Sequence, residues 1–510
     1  MASYRLNQGK PLAHSLPEYP FSTDADRSRN RHEWWRSIAY TLALGDLAAL
    51  LAAVYLGRLS HAIYYGLDPV WVLAHWWGSL AQVNLLLFLL LGTAGMAVFA
   101  LKGHYARRKA FWDEMGDLAA VFALLLALNA AIAFSGKWPL SRLWLFTSWS
   151  LALILIPLLR WWIRLLLQKA GLWDRPVVII GAGQNALEAM RALESERRLG
   201  FRVVRLLLPD SRSGVLPESP LQNITVCGLG PDPMVTLEAL GRPHALLALE
   251  MEDWEKHQDL IRSLGLNYPD LTVAPPLRGL SLYGLEMMHF FSHEVLMLRA
   301  RNNLARPGSR AIKRIFDLWA ASFLVLVLAP LLLYLVWRIR KEDGGPAFFV
   351  QERVGRYGRS FPCLKFRSMV QDAEERLDTY LADDPRRAAE YARNFKLRHD
   401  PRVTQTGKFL RRTSLDELPQ LFNVLRGQMS LVGPRPLLSR EMERYGENMA
   451  LYRQIRPGIT GLWQVSGRSE TTFADRANLD AWYVKNWSLW YDIVILLRTI
   501  KVVVDRNGAY

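Results

Sequence analysis

Cysteine is nearly absent. The 510 residues carry two, Cys227 and Cys363. They lie far apart in the chain, which argues against the disulfide framework of small secreted scaffolds. The first 36 residues hold no apolar run, so no cleavable secretory leader is expected. Acid is also in short supply: 47 Asp and Glu stand against 63 Lys and Arg, a net charge of +16. A basic surface suits nucleic acid, anionic lipid headgroups or a nucleotide diphosphate. Hydrophobic residues make up 51% of the chain, and long apolar runs favour the membrane, so no nucleic-acid partner is expected. Nineteen tryptophans fit interfacial anchoring as well as cores. The length exceeds one domain.

Four apolar runs, Ile38–Gly57, Val83–Leu101, Leu118–Phe134 and Leu143–Leu159, are each near the length that crosses a bilayer as a helix. Basic residues flank one side: Arg27, Arg29, Arg31 and Arg36 before the first, Lys102, Arg107, Arg108 and Lys109 after the second, Arg160, Arg164 and Lys169 after the fourth. The positive-inside rule then puts both ends of a four-helix bundle (37–170) in the cytoplasm, after a cytoplasmic tail (1–36). Asp46 and Asn129 fall inside these runs; helix–helix hydrogen bonding is the plainer role, an intramembrane functional group the other.

From Arg175 the pattern changes. Pro176–Ile180 reads as a strand, Gly181-Ala182-Gly183-Gln184-Asn185-Ala186 opens an amphipathic helix, and Phe201–Leu208 is a second strand before Asp210. This predicts a Rossmann-like, nucleotide-binding-type domain over 174–300. Its Gly181/Gly183 turn either holds a phosphate or only packs helix on strand.

A fifth run, Leu318–Trp337, is long enough to cross, yet Arg310, Lys313 and Arg314 precede it and Arg338, Arg340 and Lys341 follow. Both ends want the same face, and Pro330 removes a helical hydrogen bond near the middle. A re-entrant helix over 313–340, broken at Ala329-Pro330, satisfies both facts. A kinked fifth crossing is the alternative.

The densest polar chemistry follows it. QTGKFLRRTSLDELPQLFNVLRGQMSLVGPRP starts at Gln405, with RPGITGLWQVSGR at 456–468 and KFRSM at 365–369. Arginines on rigid Pro/Gly turns suit multidentate phosphate binding. That makes Arg411, Arg412, Arg435, Arg456 and Arg468 candidate phosphate or substrate contacts, with Lys365 and Arg367 sharing a strand face. The adjacent Asp416 and Glu417 are expected in the first turn of a helix, where its dipole favours negative charge. A carboxylate in this setting is a nucleophile or a metal ligand. A solvated helix start is the plain alternative.

These motifs resemble the monotopic phosphoglycosyl transferases. With its front half the chain resembles their large, WbaP-like branch, within the bacterial sugar transferases. The resemblance covers about 310–510 for the catalytic part. It implies that Asp416 attacks the β-phosphate of a UDP-sugar, releases UMP, and passes the sugar phosphate to undecaprenyl phosphate. It also implies that Glu417 helps as a base or metal ligand, and that the substrate is UDP-galactose, with UDP-glucose as the alternative. A diphosphate attacked by a carboxylate needs charge neutralisation, and hard oxygen donors on Asp416 and Glu417 suit Mg²⁺. The expected product starts O-antigen, capsule or exopolysaccharide synthesis at the bacterial inner membrane, on a homodimer contacting membrane lipids. The expected fold is membrane α plus α/β, with a mostly helical catalytic domain at 310–510. Two rivals belong to other classes: a nucleotide-sensing membrane regulator, and a polysaccharide export scaffold that needs no metal.

Overall fold

The computed structural model describes residues 24–68, 79–137, 141–209, 224–290, 293–300, 303–384, 391, 400–466 and 472–505. It divides into two compact units, Met1–Leu277 and Arg278–Tyr510. Among the described residues five helices are long and apolar enough to cross a membrane, and in chain order a parallel sheet flanked by helices comes after the fourth and before the fifth. This is a membrane α plus α/β protein.

The first unit opens with α1 (Asp24–Tyr64), α2 (Ser79–Leu101), α3 (Phe111–Ser135) and α4 (Arg142–Lys169). Helix α1 begins inside the stretch expected as a tail. The four share one buried core that includes Leu50, Phe88, Phe99, Leu118, Trp149 and Ile156. The two polar groups inside the apolar runs are satisfied there. Asp46 accepts from Arg160 Nε at 2.8 Å and from Tyr105 Oη at 2.6 Å. Asn129 Oδ1 accepts from Trp149 Nε1 at 3.1 Å. Arg160 also donates to Glu114 Oε1 at 2.6 Å, so a buried network joins α1, α3 and α4. Helix–helix bonding is the role these contacts support, because a lone charge in apolar surroundings carries a large penalty.

The sheet follows: β1 (Arg175–Ile180), α5 (Gln184–Ser195), β2 (Phe201–Leu208), β3 (Thr225–Gly228), α6 (Pro233–Ala239), β4 (His244–Leu247), α7 (Met251–Lys256), α8 (Gln258–Asn267) and β5 (Leu271–Val273). All pairs are parallel, in the order β3-β2-β1-β4-β5. Both faces of β1 are buried, hence its unbroken apolar run. The order reverses between β1 and β4, where such folds open a ligand crevice. Here the chain closes that crevice itself. Glu250 Oε1 accepts from Asn185 N at 2.7 Å, at the helix N-terminus where a phosphate would sit. Gly183 has φ +84°, and a Cβ there would lie 2.9 Å from the same carboxylate oxygen. Asp210 lies outside the described residues.

The second unit begins earlier than expected. Residues 278–300, assigned from sequence to the Rossmann-like domain, belong to it. Ser281 Oγ donates to Lys485 O at 2.6 Å, and Asn486 Oδ1 accepts from Leu282 N and Tyr283 N at 2.8 and 2.9 Å. The hairpin β6 (Glu286–Phe290)/β7 (His293–Arg299) leads to α9 (Pro307–Asp343). Then come the hairpin β8 (Phe348–Val354)/β9 (Ser360–Phe366), α10 (Ala373–Ala382), α11 (Gln405–Thr413), α12 (Gln420–Leu425), β10 (Ser430–Val432), α13 (Met449–Tyr452), β11 (Gly458–Thr460), α14 (Leu462–Val465), α15 (Phe473–Lys485) and α16 (Leu489–Asp505). Helix α9 is continuous through Ala329-Pro330. Both of its ends bond to this one unit. Near the start, Lys313 Nζ reaches Asp492 Oδ2 at 2.7 Å and Val432 O at 3.0 Å. At the end, Glu342 Oε1 accepts from Gln405 N at 2.9 Å and Asp343 pairs with Arg367.

Candidate active site

The last turn of α9 builds the site. Glu342 takes up the first amides of α11, groups that a helix start otherwise leaves without partners. Thr404 Oγ1 caps Gly407 N at 2.9 Å. Gly407 lets the helix lie directly on the chain after β9, since a Cβ there would be 2.0 Å from Ser368 O. Helix α11 stops at Ser414, whose left-handed φ of 56° costs a non-glycine residue strain of the kind that collects at functional sites. That sharp turn throws Leu415-Asp416-Glu417 into a 3₁₀ turn ahead of α12. The carboxylates therefore sit in a connecting turn, not the first turn of an α-helix. Leu415 and Leu418 anchor it on Leu332, Leu335 and Phe366.

Glu417 Oε1 accepts from Lys365 Nζ at 2.7 Å, and a cleft of about 120 Å³ opens beside them. Lys365, Glu417, Arg353, Arg435, Gln420 and Gln464 are among its lining residues. Burial pushes the Asp416 carboxyl up to about 6, and the neighbouring Glu417 charge adds to this, while Lys365 and Arg411 pull the other way. Arg353 is buried and donates to Pro436 O at 3.1 Å, fixing the loop that carries Arg435. The Arg435 guanidinium lies over the Trp463 ring, 6.0 Å from its centre. Beneath that loop, burial pushes Asp480 up to about 7, and its Oδ2 accepts from Tyr445 Oη at 2.7 Å.

The candidates from sequence separate here. Glu417, Lys365 and Arg435 line one cleft; Asp416 is not in its lining, though Glu417 and Lys365 act on it electrostatically. Arg411 stays close enough to act on Asp416 electrostatically, and its Nε donates to Ser368 Oγ at 2.9 Å. Arg412 is exposed on α11 and does not line the cleft. Arg367, expected to share a face with Lys365, instead turns to Asp343 because strand alternation gives way after Phe366. Arg456 donates to Gly427 O at 2.7 Å and lines a different cleft. Arg468 lies outside the described residues. Sequence reasoning missed Arg353, Gln420 and Gln464. Gln351-Glu352-Arg353 in an otherwise apolar strand gave little signal for the first, and the glutamines reach the cleft only through the packing of α12 and α14.

The donor set at the pair is two carboxylates on adjacent residues. Among the described residues no cluster of three or more His, Cys, Asp or Glu side chains forms a metal site. Burial is the main cause of the upward shift of Asp416, and the Glu417 charge adds to it. Hard oxygen donors fit Mg²⁺, which keeps several waters and takes one or two carboxylates plus substrate phosphates.

Residues 308–506 match the bacterial sugar transferase family, and 100–230 match a family described as a CoA-binding domain. The chain is 44% identical over 409 residues to an undecaprenyl-phosphate galactose phosphotransferase of Salmonella typhimurium, covering 80% of this chain and 84% of that one. The chain belongs to the bacterial sugar transferases. A UDP-galactose-lipid carrier transferase of Erwinia amylovora is 42% identical, with the same two coverages. An undecaprenyl-phosphate glucose phosphotransferase of Komagataeibacter xylinus is 40% identical over 66% of this chain and 60% of its own length.

Proposed function

We propose that this sugar transferase moves galactose 1-phosphate from UDP-galactose to undecaprenyl phosphate. The observation that carries the reading is the cleft that Glu417, Lys365, Arg353 and Arg435 line, next to Asp416, a carboxyl that burial raises to about 6. Asp416 attacks the β-phosphorus, the bond from that phosphorus to the bridging oxygen breaks, and UMP leaves with the electron pair. The phosphate of the lipid acceptor then displaces Asp416 from the same phosphorus, giving the diphosphate-linked sugar and the free carboxylate. Arg353 and Arg435 hold the nucleotide diphosphate, where paired forks suit phosphate oxygens. Asp416 and Glu417 would hold Mg²⁺, whose contribution when bound is charge neutralisation on the diphosphate. Galactose is preferred over glucose because two relatives aligned over 80% of this chain carry galactose in their names, whereas the relative named for glucose aligns over 66%.

Helix α9 enters and leaves one leaflet of the bacterial inner membrane, with the catalytic unit in the cytoplasm. The bonds of both helix ends to one compact unit support this, as does the exposed apolar surface between them, including Phe323, Leu326 and Leu333. The first four helices cross as a bundle, oriented by their basic flanks, and offer surface for a homodimer, the commonest symmetric assembly. UMP release from UDP-galactose, UDP-glucose and UDP-N-acetylhexosamines, with and without undecaprenyl phosphate and Mg²⁺, tests the reaction. Repeated turnover without acceptor, beyond one UMP per active site, or turnover with no sugar preference would refute it.

A further inference from the structure

We propose that the first two turns of α9, with the loops facing them, form a site for the phosphate of an anionic phospholipid headgroup. It is separate from the cleft lined by Glu417 and Lys365 and shares no lining residue with it. Arg310, Arg314, Arg356 and Arg456 converge on this second cleft, and Asp317 is the one carboxylate in its lining. Asp317 is already engaged, accepting from Ser430 Oγ at 2.8 Å and from Leu431 N at 3.1 Å. Lys313 is neutralised by Asp492. Among the described residues none of the four arginines forms an ion pair.

Backbone carbonyls fix three of the four. Arg314 donates to Val424 O at 2.7 Å and Leu425 O at 3.1 Å. Arg356 Nε donates to Gln454 O at 2.9 Å, and Arg456 Nε to Gly427 O at 2.7 Å. Neutral carbonyls orient the forks without cancelling their charge. Burial depresses both Arg356 and Arg456, and repulsion from neighbouring arginines depresses them further. An anion shared among the forks removes that repulsion, and phosphate matches guanidinium geometry.

Helix α9 supplies the argument for a lipid. Ile312, Ile315 and Trp319 are exposed on the face turned away from the cleft, so that face meets acyl chains from the second turn on. The arginines then lie at headgroup depth, where basic pockets bind anionic lipids. This depth rests on the one-leaflet insertion proposed above.

The test uses the full-length chain, purified in detergent and stripped of phospholipid. Native mass spectrometry then follows binding of phosphatidylglycerol, phosphatidylcholine and inorganic phosphate. One tightly held phosphatidylglycerol per chain is expected, bound about tenfold more weakly by Arg356→Gln/Arg456→Gln and recovered in part by the double Lys variant. Equal binding by wild type and the Gln variant overturns the site. So does equal binding of phosphatidylcholine, and so does inorganic phosphate binding as tightly as the lipid, which would make the site one for free phosphate. If the Gln variant does not fold, the wild-type lipid comparison decides alone. UMP release from the same preparation reports separately on the transferase reading.

Discussion

Lys365 Nζ lies 2.7 Å from Glu417 Oε1, while Asp416, one residue earlier, has no ion pair among the described residues. The lysine is spent on the neighbour, which leaves the nucleophile candidate desolvated and beside a negative charge.

That arrangement sets the pH dependence. Asp416 must be ionised to attack, so kcat/KM for UMP release should rise with pH through about 6. Removing the like charge with Glu417→Gln should move this limb to lower pH, and removing the cation with Lys365→Met should move it higher, each by about half to one unit. Limbs that move the same way in both variants would contradict the geometry. A carboxyl raised when folded gives stability present at low pH and lost as pH rises through about 6. Asp416→Asn should therefore be more stable than wild type above that pH, by up to about 3 kcal/mol, with the difference shrinking below pH 4.

Cysteines replacing Arg306 and Gly344, in a chain whose two native cysteines are serine, should both label from the cytoplasmic face only. Labelling of one from each side would establish a crossing. Pro330→Leu should remove the one helix-breaking residue inside α9 and lower activity by displacing Glu342 from α11. An active, one-sided Pro330→Leu protein would show that the proline does not set the path.

A shortened chain beginning at Arg278 should fold and release UMP. One beginning at Leu304 loses the partners of buried Asn486 and should be less stable by about 1–3 kcal/mol. Thermal melts in detergent compare them. Equal melting would mean that residues 278–303 contribute nothing to the catalytic unit.

The glycine turn after β1 predicts a negative result. With Glu250 seated at the start of α5, added NAD or coenzyme A should leave the melting temperature of wild type unchanged. Gly183→Ala should cost about 1–3 kcal/mol through its positive φ and the clash with Glu250. A nucleotide-induced rise in wild type would show that the carboxylate moves aside.

Much of this was legible in the sequence where one local rule decided the outcome. Apolar runs marked the long helices, the strand-turn-helix pattern found β1, α5 and β2, and the Asp416-Glu417 pair stood out among arginines on rigid turns. What stayed hidden depended on contacts distant along the chain. Glu250 fills the glycine turn from 65 residues away. Arg367 and Arg456 leave the cleft because Asp343 and Gly427 are their neighbours in space. The unit boundary moved because Asn486 bonds to residues 282 and 283, which no pattern around 278–300 announces.

Capture of the sugar phosphate on Asp416 is the most direct test of all. Full-length protein mixed with UDP-galactose and Mg²⁺, without acceptor, should release one UMP per active site. The peptide carrying Asp416 should gain the mass of a hexose phosphate less water, and undecaprenyl phosphate should discharge it. Asp416→Asn should show no adduct and a loss of turnover of about a thousandfold or more. UMP release only when acceptor is present, with no adduct on Asp416, or full turnover in the Asn variant, would contradict it.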